Sequence, residues 1–286
     1  MMIDGHVHMW LRPMYPDVII NAYLEPWLEI EESFPTSEVR PELLVDSMKQ
    51  AGVDRSVVLP LDFGLVQEPK IGVEEFNDWI FESSTNYPDK LIPFMGIDPG
   101  RGEQAIRLMR KYFAKYEPKG IKIYPPNGFY PYEERLEPFW REVKDMDLVV
   151  VSHAGASWGP LDEEKSRPIH FRSVLDRYPD MKLVIAHLGG KYRADTYELA
   201  REYDNLYTDC SALQGWLPAE PQTVKDRLSE AFSVMGDRII FGTDWPLFDL
   251  AYPYESWCSF VREQDICSEE CREKLLGGTM RKLLGI

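Results

Sequence analysis

Eight short runs rich in Val, Ile and Leu are the feature that most constrains the fold of this chain. Each run is followed by a longer amphipathic segment, a pattern typical of strands that alternate with helices in a parallel sheet. The runs lie at 2–8, 55–61, 91–98, 120–125, 148–155, 182–190, 205–211 and 238–246. Eight such units predict a closed (β/α)8 TIM barrel. An open dinucleotide-binding sheet is less favoured, because no G-x-G-x-x-G motif follows the first run.

The length of the chain fits one barrel domain over residues 1–286. With 286 residues, of which 44% are hydrophobic, the chain can bury a core of that size. The segment RPELLVDSMKQAG predicts a helix that ends at Gly52, because glycine favours the left-handed position after a helix. Helices after the eighth run, roughly 254–284, are expected to pack outside the barrel.

The charge of the chain argues against several partners. A net charge of −16 repels nucleic acids and anionic membranes, and no run approaches the 18 apolar residues of a membrane span. No basic and apolar leader is visible, and the four cysteines lack paired metal-ligand spacing, so we interpret them as reduced thiols. We therefore expect a cytoplasmic protein that acts on a small molecule.

Histidines gather at the ends of the predicted strands. His6 and His8 lie two residues apart in DGHVH, so their side chains share one side of a strand. His153 and His187 end the fifth and sixth runs, and Asp244 ends the eighth. These ends converge at the C-terminal mouth of a barrel, and imidazole and carboxylate are ligands that zinc prefers. The pattern predicts a divalent metal centre.

Other features of the predicted mouth are less specific. The long connections 9–36 and 156–168 are predicted to form lids, although padding or an oligomer contact would also explain them. His170 begins a predicted helix, which favours a structural or surface role. Aromatic side chains near strand ends suit a flat substrate but are also common in barrel cores: Trp10, Trp158, Trp216 and Trp245. Arginines that could bind a carboxylate substrate are Arg12, Arg167, Arg172 and Arg193.

The motifs resemble the amidohydrolase superfamily, specifically the amidohydrolase-related branch with aminocarboxymuconate-semialdehyde decarboxylases, aromatic-acid decarboxylases and lactone hydrolases. The resemblance runs from DGHVH through GIKIYPP, SHAG, LVIAHLGG, NLYTDCS and IIFGTDWP to RKLLGI. It implies one divalent ion, zinc first and manganese second, and a homodimer. The implied ligands are His6, His8, His153 and Asp244, and His187 is implied as a catalytic acid/base or, in binuclear relatives, a second-metal ligand.

Lys122 allows several interpretations. It lies near the end of the fourth run, where binuclear superfamily members carry a carboxylated lysine that bridges two ions. This branch usually uses one ion, so core packing of the stem or contact with an anionic substrate is favoured instead. We include Lys122 with Trp10, Trp158 and Trp245 as candidate pocket residues.

The reaction is not decided by the motifs. A divalent ion can activate water and polarise an oxygen, while Asp244 and His187 can move protons. The first hypothesis is a hydrolase of a small carboxylated, lactone, ester or amide substrate. The alternative is a non-oxidative decarboxylase of an aromatic or muconate-like acid. A non-catalytic barrel is the third hypothesis and is disfavoured, because all five site residues are present.

Overall fold

Parallel strands occupy the eight positions that the sequence predicts. The structure is a computed structural model that describes residues 1–21, 38–157, 161–249 and 251–286. The strands are β1 Ile3–Val7, β2 Trp10–Leu11, β3 Glu38–Val39, β4 Arg55–Val58, β5 Leu91–Pro93, β6 Met95–Gly96, β7 Gly120–Ile123, β8 Val149–Ser152, β9 Leu183–Ile185, β10 Leu206–Asp209 and β11 Ile239–Ile240. β2 and β3 form a separate antiparallel pair, and the others pair in parallel.

The parallel strands follow one another in chain order. The order is β1-β4-β5 in one ladder and β6 through β11 in the other, and Phe94 separates β5 from β6 within one strand position. The first strand also meets the last: Gly5 N donates to Phe241 O at 2.8 Å, and His8 N donates to Trp245 O at 2.9 Å. The predicted TIM barrel is confirmed.

Helices connect the strands as the alternating pattern predicts. They are α1 Asp17–Ile19, α2 Pro41–Ala51, α3 Val73–Ser84, α4 Glu103–Tyr116, α5 Glu137–Asp145, α6 Arg172–Arg177, α7 Arg193–Ala200, α8 Pro221–Met235, α9 Tyr254–Glu263, α10 Glu269–Glu273 and α11 Thr279–Leu284. The last three follow the eighth strand position, as expected.

Helix α2 shows how local sequence sets these boundaries. Pro41 occupies the first helical position, where a missing N–H costs nothing, and Leu44, Met48 and Ala51 bury one face. Gly52 ends the helix with φ at 67°, a left-handed conformation that favours glycine. The predicted end at Gly52 is confirmed.

Alternate residues of the strands form an apolar layer inside the barrel. They cluster apart from the larger core that packs under the helices, and α11 closes the cluster from below. Members are Ile3, Val57, Leu59, Ile92, Phe94, Val149, Val151, Val184, Tyr207 and Ile240, with Met280, Leu283 and Leu284 of α11. Because strand side chains alternate, the next inward positions above this layer are Lys122, His153 and Asp209. The barrel therefore places polar side chains above an apolar floor.

The strands end earlier than the apolar runs suggest. β11 covers residues 239–240 of the predicted 238–246, and Asp244 has a left-handed φ of 60°. Residues 22–37 and 158–160 lie outside the described residues, so most of the predicted first lid and part of the second are not covered. Within the described ranges, no helix is long and apolar enough to cross a membrane.

The junction of the first and last strand positions has no room for a larger side chain at Gly5. A Cβ there would lie 2.5 Å from Ile240 Cγ2 and 3.2 Å from Phe241 O. We expect Gly5→Ala to lower the free energy of unfolding by about 1–3 kcal/mol, the usual cost of overpacking. Urea denaturation measures the change. Gly72→Ala, whose Cβ would meet only the flexible Glu68 carboxylate at 3.3 Å, is the control. Equal stability of the two variants would contradict the packing at this junction.

Candidate metal centre

Three predicted ligands meet at the seam between the first and last strand positions. Asp244 Oδ1 lies 2.9 Å from His8 Nε2 and 3.3 Å from His6 Nε2. Asp244 N donates to His6 O at 2.8 Å, which fixes the two segments side by side. All three residues are buried, and their donor atoms lie within 4.8 Å of one another. The predicted convergence of His6, His8 and Asp244 is therefore found in the fold.

The outer nitrogens of both histidines have acceptors. His6 Nδ1 lies 2.8 Å from Asp209 Oδ2, and His8 Nδ1 lies 2.6 Å from Leu59 O. Because a carboxylate and a carbonyl accept hydrogen bonds, Nδ1 carries the proton in each ring. Both Nε2 atoms are then left as electron-pair donors that face Asp244. Such outer hydrogen bonds are the usual support of metal-ligating histidines.

The electrostatics of the cluster fit a cation. Burial, together with the nearby Lys122 charge, lowers the pKa of His6 to about 3, so the ring is neutral near pH 7. Burial would raise the pKa of Asp244, but the close contact with His8 and the other neighbouring histidines lower it below its usual range. Two imidazole electron pairs and a carboxylate directed at one point are a donor set for a divalent ion.

Lys122 is buried beside this cluster. Its Nζ lies 3.2 Å from His6 Nε2, and the side chain is 2% exposed. Burial lowers the pKa of Lys122 to about 8, against the opposing effect of the Asp209 and Asp244 charges. Lys122 therefore belongs to the polar centre and does not merely pack its stem in the core.

His187 belongs to a second cluster, which shares His6 with the first. Asp209 Oδ1 accepts hydrogen bonds from His187 N at 2.9 Å and from Ser211 N at 3.1 Å. Ser211 Oγ donates to the same oxygen and lies 2.7 Å from His187 Nδ1. The rings of His187 and His6 stack with centroids 5.0 Å apart. His187 is thus held beside the candidate metal site by groups on the next strand.

Unusual backbone conformations bring His187 and its neighbours into place. His187 and Leu188 have left-handed φ values of 60° and 55°, which are uncommon for residues other than glycine. Gly190 follows, and a Cβ there would lie 2.8 Å from Gly155 Cα. The glycines of the SHAG and HLGG motifs therefore allow the two loops that carry His153 and His187 to approach closely.

His153 lies at the same mouth but outside the two groups of clustered donor atoms. Its Nε2 lies 2.9 Å from Ala156 O, and its ring centroid is 5.3 Å from that of His187. The role of His153 as a fourth ligand stays a prediction. His170 lies apart, against Glu164 at 3.2 Å and the rings of Tyr130 and Tyr132, in agreement with a structural role.

The tryptophans differ in their surroundings. Trp10 is buried against Tyr15, and Trp245 is buried near Tyr254. Trp216 is 46% exposed beneath Arg227, so its place at the substrate site is not supported. Trp158 lies outside the described residues. The roles of Trp10, Trp158 and Trp245 in a substrate pocket stay predictions.

The candidate arginines form ion pairs away from the metal centre. Their partners are Asp17 for Arg12, Asp195 for Arg167, Glu198 and Glu202 for Arg172, and Glu230 for Arg193. A nearby carboxylate engages each guanidinium, and the role of any of these arginines in binding a substrate carboxylate stays a prediction.

Asp209 and Ser211 are site residues that the sequence analysis did not single out. Both lie in NLYTDCS, a run that predicts a strand and carries part of the family resemblance but gives no site residue. The signal was available, because Tyr207 lies in the inner apolar layer and Asp209 is two residues further along. A carboxylate at the polar end of an inward row could have been recognised as part of the site.

Comparisons with known structures support the fold. The chain is similar to an amidohydrolase from Burkholderia multivorans with bound zinc, at 18% identity and a TM-score of 0.74, covering 100% of this chain and 99% of that one. It is also similar to 5-carboxyvanillate decarboxylase LigW from Sphingomonas paucimobilis, at 14% identity and a TM-score of 0.71, with 100% and 99% covered. A third is a dihydroxybenzoic acid decarboxylase from Polaromonas sp. JS666 with bound manganese and the inhibitor 2-nitroresorcinol, at 16% identity and a TM-score of 0.72, with 99% and 96% covered.

The family is established by sequence. No curated protein sequence matches the chain. The family model described as Amidohydrolase matches residues 3–286, which is nearly the entire chain and includes both clusters of the candidate metal centre. The chain therefore belongs to the amidohydrolase family, as its motifs predict.

Proposed function

We propose that the protein is a metal-dependent decarboxylase that releases carbon dioxide from a small aromatic acid. The observation that carries the proposal is a row of aromatic rings that leads to the candidate metal centre. Successive ring centroids lie 5.4 Å apart for Trp10–Tyr15, 5.6 Å for Tyr15–Phe63, 5.2 Å for Phe63–Tyr124 and 4.4 Å for Tyr124–His153. Flat apolar walls of this kind suit a planar ring.

The charges near this row of aromatic rings also support an aromatic acid as the substrate. Burial, followed by the charge of Asp244, raises the pKa of Tyr15 above its usual value, so the phenol stays neutral beside the centre. Lys122 supplies a buried positive charge near the ligands, which favours an anionic group on the substrate. A substrate with an aromatic ring and a carboxylate would match both the row of aromatic side chains and the positive charge of Lys122.

His6, His8 and Asp244 would hold the ion, with zinc as the first candidate and manganese as the second. Two of the similar structures carry zinc or manganese, which supports that choice. His153, which follows β8 at the fifth strand position, is proposed as a further ligand. When bound, the ion would supply a positive charge that orients the substrate carboxylate and an adjacent oxygen.

The remaining chemistry is a proton transfer to carbon. The bond from the ring to the carboxylate breaks, its electron pair stays on the ring carbon, and carbon dioxide leaves. The ring carbon then takes one proton, drawn ultimately from solvent. His187 is proposed to deliver it, because its ring adjoins both His6 and His153 and is partly exposed.

The comparisons support this reaction over hydrolysis, which the sequence analysis ranked first. Two of the three similar structures reported above are named as decarboxylases, and one of these carries an aromatic inhibitor. Hydrolysis of a lactone or ester would use the same metal ligands, so the products must distinguish the two reactions.

Removal of a candidate ligand should remove the metal. We expect His8→Ala and Asp244→Asn to weaken divalent-ion binding by more than the ~10–100-fold that loss of an outer hydrogen-bond partner costs. Elemental analysis of the purified proteins and titration of the metal-free forms with Zn²⁺ measure this. His170→Ala should bind the ion as the wild type does. Unchanged binding in both ligand variants would refute the assignment.

The reaction is tested with a panel of hydroxybenzoic acids and a matched panel of lactones. We expect carbon dioxide from an aromatic acid, and in D₂O one deuterium at the carbon that lost the carboxylate. A hydrolase would instead place ¹⁸O from labelled water in a new carboxylate. That product, without carbon dioxide, would overturn the proposal and restore the first hypothesis.

His187→Asn separates proton delivery from metal binding. We expect the variant to keep its metal while kcat falls at least ~10²-fold, as is typical when a positioned proton donor is lost. Metal content and steady-state kinetics are measured on the same preparation. Loss of the metal in this variant would instead place His187 among the ligands.

A further inference from the structure

The hydrogen bonds around Ser211 leave one consistent arrangement of protons. Ser211 Oγ has a single proton, and its contact with Asp209 Oδ1 directs that proton to the carboxylate. Asp209 acts as an acceptor on both oxygens. Its Oδ1 accepts from the backbone N–H groups of His187 and Ser211, and its Oδ2 accepts from His6 Nδ1. Ser211 Oγ is then an acceptor toward His187 Nδ1, which lies 2.7 Å away.

We propose that Ser211 and Asp209 are positioning residues that hold His187 in the tautomer with its proton on Nδ1. In that tautomer Nε2 is free to take up and release a proton at the mouth. The inference rests on the proposed role of His187 in proton delivery. Ser211 acts through His187 and does not itself contact the reacting atoms.

The two carboxylate oxygens of Asp209 bind different partners. Oδ2 accepts from His6 Nδ1 at 2.8 Å, while Oδ1 accepts from His187 N and Ser211. One carboxylate therefore orients a proposed metal ligand and the proposed proton donor together. These hydrogen bonds explain why the donor atoms of the second group lie close together, that is, those of His6, His187 and Asp209.

Substitutions of Ser211 and of Asp209 should consequently have different effects on the protein. Ser211→Ala removes the acceptor for His187 but leaves the contact between His6 and Asp209. Asp209→Asn removes the charged partner of His6 as well, so metal affinity should fall ~10–100-fold, as for other outer partners of ligating histidines. Ser84→Ala is the matched control, since Ser84 is a buried serine of α3 that donates to Ile80 O.

The test is the tautomer of His187 in the Zn²⁺-loaded protein, read from the ¹⁵N signals of labelled imidazoles and assigned with His187→Asn. We expect the Nδ1–H form in the wild type and in Ser84→Ala, and a shift toward a mixture of tautomers in Ser211→Ala. With a substrate in hand, Ser211→Ala should lower kcat ~10-fold or more, with KM and metal content near wild type.

Two results would overturn the inference. One is an Nε2–H tautomer of His187 in the wild-type protein, with the signal assigned by its absence in His187→Asn. The other is an unchanged His187 signal in folded Ser211→Ala. Neither spectrum requires a substrate, so failure of the inference is distinguished from failure to release carbon dioxide, which bears on the proposed reaction alone.

Discussion

The hydrogen bonds between the first and last strand positions are the constraint on which the candidate site depends. Asp244 N donates to His6 O, and His8 N donates to Trp245 O. These contacts join segments more than 230 residues apart and set Asp244 opposite both histidines. A shift of one residue in this register would turn the side chains to the other face. The tight packing at Gly5 and the geometry of the metal ligands are therefore two consequences of one strand pairing.

Shifted pKa values and hydrogen bonds explain how the polar groups are tolerated above the apolar layer. Burial disfavours the charged forms of Lys122 and His6, and each has a pKa lowered accordingly. Asp209 stays ionised because imidazole and hydroxyl groups hydrogen-bond to it, and the histidines around Asp244 lower the pKa of that carboxyl. Each buried carboxylate thus faces groups that stabilise its charge, which is the condition for keeping a charge inside a protein.

The sequence predicted those parts of the molecule that periodicity governs. The eight strand positions, the end of α2 at Gly52 and the convergence of His6, His8 and Asp244 follow from rules of alternation and strand order. Asp209 also follows from the alternation of side chains along a strand, but no second metal-ligand residue lies beside it in the sequence to draw attention to it. Ser211 contacts His187 from a loop, and the alternation of residues along strands does not predict such a contact. The ion-pair partners of the candidate arginines could not be predicted, because they depend on which carboxylates the fold brings near, which is a tertiary property.

The charges of the centre imply an order of binding. Asp209 and Asp244 are anionic and Lys122 is cationic, while the neutral His6 adds no charge, so these buried groups carry one net negative charge and disfavour an anionic substrate. A divalent ion reverses the sign to one net positive charge, and a monoanionic acid then makes the centre neutral. Because uncompensated charge is costly in a buried site, we expect a divalent ion to bind before the proposed acid substrate. In the proposed reaction, loss of carbon dioxide would remove the negative charge from the substrate, so the neutral product would be held less tightly than the acid.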